Sequence, residues 1–99
     1  MKASIAIQVE PNIADSKETI RVVDQVIDYI RSTGLSYYVG PCETAVEGDD
    51  LDQLIDVIKN CVKVANQAGS ERVSAYVKIN YKPGGEVLTI DEKVTKHHQ

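Results

Sequence analysis

The stretch SYYVGPCETAVEG, residues 36–48, decides the fold because it places two short extended runs next to each other in the chain. SYYVG and ETAVEG are each typical of a β-strand, and the Gly40-Pro41 pair between them is typical of a turn. We therefore predict a β-hairpin in the middle of the chain. The segments on either side determine the architecture to which this hairpin belongs.

A predicted helix flanks the hairpin on each side. Residues 15–34 and 49–69 carry apolar residues at three- and four-residue steps, which is the spacing of one buried helix face. Asp15 and Asp50 stand at their starts as capping residues, each followed three residues later by Glu or Gln, and a glycine ends each segment. The predicted buried faces are Ile20, Val23, Val26 or Ile27, and Ile30 in the first helix, and Leu51, Leu54, Ile55, Ile58, Val62 and Ala65 in the second.

Two alternating runs complete the pattern. SIAIQVE (4–10) and RVSAYVKINY (72–81) alternate apolar and polar residues with period two, as half-buried strands do. The resulting order of strand, helix, strand, strand, helix, strand predicts an α+β fold, the ferredoxin-like βαββαβ sandwich. In this fold a four-stranded antiparallel sheet carries two helices on one face, which here would bury Ile5, Ile7, Val9, Val73, Val77 and Ile79. We expect one domain over residues 1–99, ending in a short extended piece and a helical turn that fray from about residue 92.

Composition narrows the classes of function. The net charge is −4 and basic residues are not clustered, so a nucleic-acid partner is not expected. The first residues resemble neither a signal peptide nor a membrane span, from which we expect a cytoplasmic protein without a membrane partner. Cys42 and Cys61 are expected to be free thiols, and neither has a second Cys or a His at the spacing of metal ligands.

The sheet face opposite the helices is the first candidate for a functional surface. Its predicted residues are small, uncharged or hydrogen-bonding, with a single lysine: Ser4, Ala6, Gln8, Ser74, Tyr76, Lys78 and Asn80. Such a face suits packing against a second sheet while it keeps donors and acceptors for a small polar ligand. A solvated face made of ordinary strand-forming residues is the alternative.

Thr44 and Glu47 are the second candidates, because they lie in the predicted hairpin strand that precedes a helix. A carboxylate at Glu47 could accept a hydrogen bond from an aminopyrimidine or balance a cation, and Thr44 could offer a hydroxyl. The structural alternative is that Thr44 is simply a good strand residue and that Glu47 favours the dipole of the following helix.

Three segments, SIAIQVEP, YYVGPCETAVEGD and VKINYKPGGEVLTIDEKVTK, resemble the thiamine-binding protein family. The resemblance covers nearly the whole chain, and its most specific parts are T-x-x-E-G after a Gly-Pro turn and the later DEKV. It implies a non-enzymatic binder of thiamine or its hydroxymethylpyrimidine half, with no cofactor and no catalytic or metal site. It also implies a homodimer or a dimer-of-dimers tetramer assembled through the sheets, with the ligand near subunit interfaces.

The resemblance assigns site residues only where the motif matches. Thr44, Glu47 and Gly48 match the family motif, and Ser4 matches its first strand. Strand alternation adds Gln8, Tyr76 and Asn80 as ligand-binding candidates, and Tyr38 or Tyr76 could supply a surface for a ring to stack on. Lys78 would repel the positive thiazolium ring unless it pairs with Glu10 or Glu47, whereas a neutral pyrimidine would tolerate it.

Other functions remain open at this stage. An acylphosphatase would share the topology, but the loop PNIADSK after the first strand lacks the glycines and arginine of an anion cradle. His97 and His98 lie in the predicted tail, and no base is evident near Cys42, so neither nucleophilic nor acid–base catalysis is expected. A sensor of another small metabolite and a purely structural oligomerising domain are the remaining alternatives.

Overall fold

The computed structural model describes residues 1–98. Its elements follow the predicted order, and the helical turn predicted near the C-terminal end is a short helix followed by a 3₁₀ turn, with no strand directly before it among the described residues. The strands are β1 (Ala3–Pro11), β2 (Ser36–Val39), β3 (Thr44–Gly48) and β4 (Val73–Tyr81). The helices are α1 (Ser16–Ser32), α2 (Leu51–Gln67) and the short α3 (Ile90–Val94), which a 3₁₀ turn, Thr95–His97, extends.

The four strands form one antiparallel sheet in the order β2-β3-β1-β4. The hairpin predicted at residues 36–48 is the β2–β3 pair, and the two outer segments of the βαββαβ pattern become the neighbours β1 and β4. The prediction of a ferredoxin-like α+β fold is therefore confirmed.

Local capping explains where the two long helices begin. The carboxylate of Asp15 accepts hydrogen bonds from the backbone N–H groups of Lys17 and Glu18, and Asp50 does the same for the second helix. Gly34 and Gly69 follow the helix ends with φ angles of 75° and 127°, a region that other residues rarely adopt. None of the helices described between Met1 and His98 combines the length and apolar character needed to cross a membrane.

The core lies between α1, α2 and the central strands. The helix faces that it buries are rotated from the predicted ones: α1 buries Val22, Val26 and Ile30, and α2 buries Leu54, Val57, Cys61 and Ala65. Ile20 and Ile55, both predicted to be buried, are exposed because they sit at the margins of these faces. A spacing of three and four residues fixes a face only approximately, and packing against the sheet selects its centre.

Strand β4 differs from the prediction in how much of its apolar row is exposed. Val77 and Ile79 lie on the helix-facing side, opposite Ile7 and Ile5 of β1, yet they are 37% and 53% exposed. The prediction that the helices bury them is wrong. Because β4 is the outer strand of the sheet, α2 reaches only part of it, and the apolar row that ends in Tyr81 stays uncovered.

The opposite face of the sheet is not entirely bare either. The C-terminal segment turns back across it, so that α3 packs against β3. Thr89 begins this helix with a capping box, in which its hydroxyl and the Glu92 carboxylate bond each other's backbone N–H groups. A third helix thus covers one corner of the face that two helices alone would leave open.

Candidate functional site

Cross-strand pairing arranges the uncovered face in rows that run across the sheet. One row is polar throughout: Asn80 of β4, Ser4 of β1, Glu47 of β3 and Ser36 of β2. Directly opposite residues of neighbouring strands lie within contact distance of each other. Ser4, Asn80 and Glu47, three of the residues predicted to form the site, are therefore brought together.

The next row differs from the polar row in having two alanines at its centre. It runs from Lys78 through Ala6 and Ala45 to Tyr38, so that the two smallest side chains occupy its centre. Long side chains at both ends and methyl groups in the middle create a depression on the sheet surface. We call it the alanine hollow.

The alanine hollow encloses about 310 Å³ and lies between β4 and α3. Besides the row itself, Ser4, Glu43, Asn80, Ile90, Lys93 and Val94 line it. A second depression of about 370 Å³, the glutamate hollow, is lined by Glu47, Ser36 and residues of the C-terminal segment. Tyr38, Ile90 and Val94 line both hollows, which are therefore neighbours in one groove.

Glu47 is the buried acid of this groove, with only 5% of its surface exposed. The backbone N–H of Ile90 donates to Glu47 Oε2 at 2.7 Å, which fixes the start of α3 over the sheet. No protein donor within residues 1–98 reaches Oε1. Every fully enclosed side-chain oxygen in that range has a hydrogen-bond partner, so Oε1, which has none, must be in contact with solvent. One carboxylate oxygen is structural and the other is available to a ligand.

Tyr38 stands between the two hollows and is held by the tail. Its hydroxyl lies 2.8 Å from His98 Nε2, and the two rings are tilted by 46° with centroids 5.7 Å apart. The tail histidine therefore orients the aromatic side chain that was predicted to stack against a ligand ring.

Lys78 forms an ion pair that the sequence did not predict. Its Nζ lies 3.2 Å from Glu43 Oε1, rather than pairing with Glu10 or Glu47. Because Ala6 lies between Lys78 and the β3 strand, the pair crosses the sheet over the alanine floor. It sets the boundary of the alanine hollow on the side away from Glu47.

Three predicted site residues lie elsewhere. Thr44 is opposite Ile7 on the helix-facing side of the sheet, where it is buried and lines a small cavity of about 90 Å³ near α1. Gln8 and Tyr76 do face the groove side, but four residues separate them from the Ser4 row, which is about 13 Å along a strand. The structure therefore does not bring them to Glu47, and the Gln8 amide instead donates to Glu10.

Residues that sequence reasoning did not select complete the groove. Ala45 is part of its floor, and Glu43, Ile90, Lys93 and Val94 are parts of its walls. The alternation of β1 already placed Ala6 on this face, but a lone alanine gives no signal of function. The Thr89-x-x-Glu92 spacing was a recognisable signal for the helix that carries Lys93.

The two thiols lie in contrasting environments. Cys42 is exposed in the β2–β3 turn, whereas Cys61 is buried in the core, where burial raises the pKa of its thiol to about 12. Neither residue lines the alanine hollow or the glutamate hollow. Residues 1–98 contain no cluster of three or more His, Cys, Asp or Glu side chains placed to hold a metal ion.

Comparison with known proteins assigns this chain to one protein family. The model of the family described as "Thiamine-binding protein" matches residues 5–98. The chain belongs to the thiamine-binding protein family. The sequence resemblance is thereby confirmed over nearly its full length.

Proteins from several organisms resemble this chain closely in sequence and in structure. UPF0045 protein CPE1503 of Clostridium perfringens is 43% identical over 95% of both chains. The crystal structure of protein SP2199 from Streptococcus pneumoniae is 43% identical, with a TM-score of 0.81 over 96% of this chain and 99% of that one. Protein TM0486 of Thermotoga maritima, provisionally assigned to thiamine biosynthesis or salvage, is 35% identical, with a TM-score of 0.82 over 98% and 99% of the two chains.

Proposed function

We propose that this protein binds thiamine, or its hydroxymethylpyrimidine half, non-covalently in the groove under α3. The observation that carries the proposal is the position of Glu47 Oε1, which has no protein donor within residues 1–98, beside the floor formed by Ala6 and Ala45. An acidic acceptor next to a flat, shallow surface is what an aminopyrimidine requires. Membership of a thiamine-binding family supports the same ligand class.

Each part of the pyrimidine has a matching group in the groove. The exocyclic amine would donate to Glu47 Oε1, a charge-assisted hydrogen bond. The ring would lie where the two hollows meet, against Tyr38 and the Ala45 methyl group, and the remainder of the ligand would extend over Ala6.

We propose binding rather than chemical conversion as the role of the groove. The side chains that line it, a carboxylate already used by the backbone, small residues and exposed donors, are suited to holding a polar ring in place. The provisional assignment of the Thermotoga maritima relative to thiamine biosynthesis or salvage is consistent with a protein that handles the vitamin. Recovery of unaltered thiamine after prolonged incubation with the protein would support this role, and a new product would contradict it.

We further propose that the protein is a homo-oligomer assembled through its sheets. Strand β4 has nine residues and an unpaired outer edge, and its helix-facing row includes the exposed Val77, Ile79 and Tyr81. An open edge combined with uncovered apolar side chains is the kind of surface that a second antiparallel copy can pair with. A dimer, or a tetramer of two such dimers, would cover it.

Calorimetric titration with thiamine and with hydroxymethylpyrimidine tests the ligand. We expect the Glu47→Gln variant to bind at least about tenfold more weakly, because the amide replaces a charged acceptor. Glutamine keeps an oxygen for the Ile90 N–H, so α3 should stay in place. Glu71→Gln, an exposed site outside both hollows, is the matched control. No heat from either ligand at millimolar concentration, or unchanged affinity in Glu47→Gln, would count against the proposal.

A further inference from the structure

The end of the alanine hollow away from Tyr38 contains more hydrogen-bond donors than acceptors. Lys78 lines it from β4 and Lys93 from α3, and Asn80 and Ser4 of the neighbouring row line the same hollow. Glu43 is the one carboxylate among the residues that line this hollow. The protein as a whole has a formal net charge of −4, so this local excess of positive charge is not a general property of its surface.

The two lysines are available to a ligand. Across residues 1–98, no carboxylate lies within 4.0 Å of the Lys93 ammonium group, whereas Lys78 pairs with Glu43. The side chains of that pair are 77% and 38% exposed. An ion pair so open to water is weak, so Lys78 can turn toward a stronger anion at little cost.

Ser4 adds a second, independent observation. Only 8% of this residue is exposed, and its hydroxyl has no hydrogen-bond partner in the described part of the chain. Every fully enclosed side-chain oxygen in that part has a partner, so the Ser4 hydroxyl must be in contact with solvent. Ser4 also lines the alanine hollow. A nearly buried, unpartnered donor that lines the same hollow as two lysines is suited to receiving an anionic group.

We propose that this end of the hollow, between Lys78 and Lys93, binds a phosphate monoester carried by the ligand. This inference rests on the proposed function and specifies its ligand class: phosphorylated forms of thiamine or of the pyrimidine bind more tightly than the free alcohols. The phosphate would offset the repulsion between the lysines and the positive thiazolium ring. Because Lys93 belongs to α3 and Lys78 to β4, the phosphate would also tie the C-terminal helix to the outer strand.

The test compares thiamine, thiamine monophosphate and inorganic phosphate by calorimetry on the wild-type protein. We expect the monophosphate to bind about tenfold more tightly than thiamine, an advantage that shrinks as added salt screens the charges. In Lys93→Gln and Lys78→Gln the advantage of the monophosphate over thiamine, measured on the same variant, should fall severalfold. Lys17→Gln, an exposed lysine on α1 outside the groove, is the matched control.

The outcomes separate this inference from the proposed function. Equal affinities for thiamine and its monophosphate, or an advantage that survives both lysine substitutions, would overturn the phosphate site and leave thiamine binding intact. Lysine-dependent binding of inorganic phosphate without any binding of thiamine would support the anion site and contradict the proposed ligand. If none of the three compounds binds, both the phosphate site and the proposed binding of thiamine are rejected.

Discussion

Ala6 of β1 lies directly opposite Ala45 of β3, and the two methyl groups form the floor between Lys78 and Tyr38. Neither residue belongs to the helix-packed core, since both point to the other face of the sheet. Their small size therefore is not required by the fold. It leaves room above the sheet that a larger strand residue would fill.

Replacing Ala6 with leucine should weaken ligand binding without unfolding the protein. A leucine side chain at the centre of the row would occupy the space in which a ring could lie, so we expect thiamine affinity to fall at least about tenfold. Titration calorimetry measures the loss, and circular dichroism checks the fold. The control is Ala14→Leu, an exposed alanine between β1 and α1 that lines neither hollow. Unimpaired binding by Ala6→Leu would remove the alanine hollow from the site.

A charged side chain introduced into the exposed apolar row of β4 should disrupt the proposed assembly. Ile79→Lys places a charge in the uncovered apolar row and should shift the protein toward monomers, because burying an unpaired ammonium group is unfavourable. Light scattering coupled to gel filtration gives the mass directly. Ile20→Lys, on the exposed part of α1, should leave the assembly unchanged. A wild-type protein that is monomeric at high concentration would refute the proposed assembly.

The two cysteines should differ sharply toward a thiol reagent. The thiolate is the reactive form, and burial raises the pKa of Cys61 to about 12, so this residue stays protonated and shielded near neutral pH. We expect rapid modification of one thiol, Cys42, in the native protein and of both thiols in denaturant. Colorimetric thiol counting on wild type and Cys42→Ser distinguishes the two sites. Fast labelling of native Cys42→Ser would show that the core opens readily.

The stability of α3 should depend on pH through the ionisation of Glu92. Its carboxylate accepts the Thr89 backbone N–H, which lowers the pKa of Glu92 below its ordinary value of 4.5. A carboxyl group whose pKa is lower in the folded state stabilises that state above the ordinary value. This contribution is lost as the pH falls through the lowered pKa.

NMR chemical shifts of the Thr89 and Glu92 amides should follow this loss below about pH 4.5. Glu92→Gln, which keeps an acceptor oxygen without the titrating proton, should retain the capping geometry and show no such transition. A transition of equal size in that variant would assign the pH dependence to another group.

The sequence predicted the parts of the fold that depend on local chemistry. The caps Asp15 and Asp50 and the alternation of β1 and β4 act within a few residues, so the helices and strands could be located correctly. Which apolar residues are covered is decided by strand order. Val77 and Ile79 alternate as inward residues should, but their strand lies at the edge of the sheet.

The candidate site was predictable only in part. Ser4, Asn80 and Glu47 follow from alternation and pairing, but Thr44 and Glu47 are three residues apart and must point to opposite faces of a strand. The alternation of side chains along a strand therefore already indicated that Thr44 and Glu47 could not share one site. The role of the tail could not be predicted, because α3 has only five residues and its position depends on Glu47, which lies 43 residues earlier in the chain.

The groove is composed of segments from both ends of the sequence, with Ser4 and Ala6 at one extreme and Ile90 and Lys93 at the other. The sheet is complete with the residues up to Tyr81, so it does not require the C-terminal segment. A molecule in which that segment has not yet packed against β3 would have a complete sheet and an open groove. Under the proposed function, the ability to retain a ligand would come last, when the residues of α3 pack across β3.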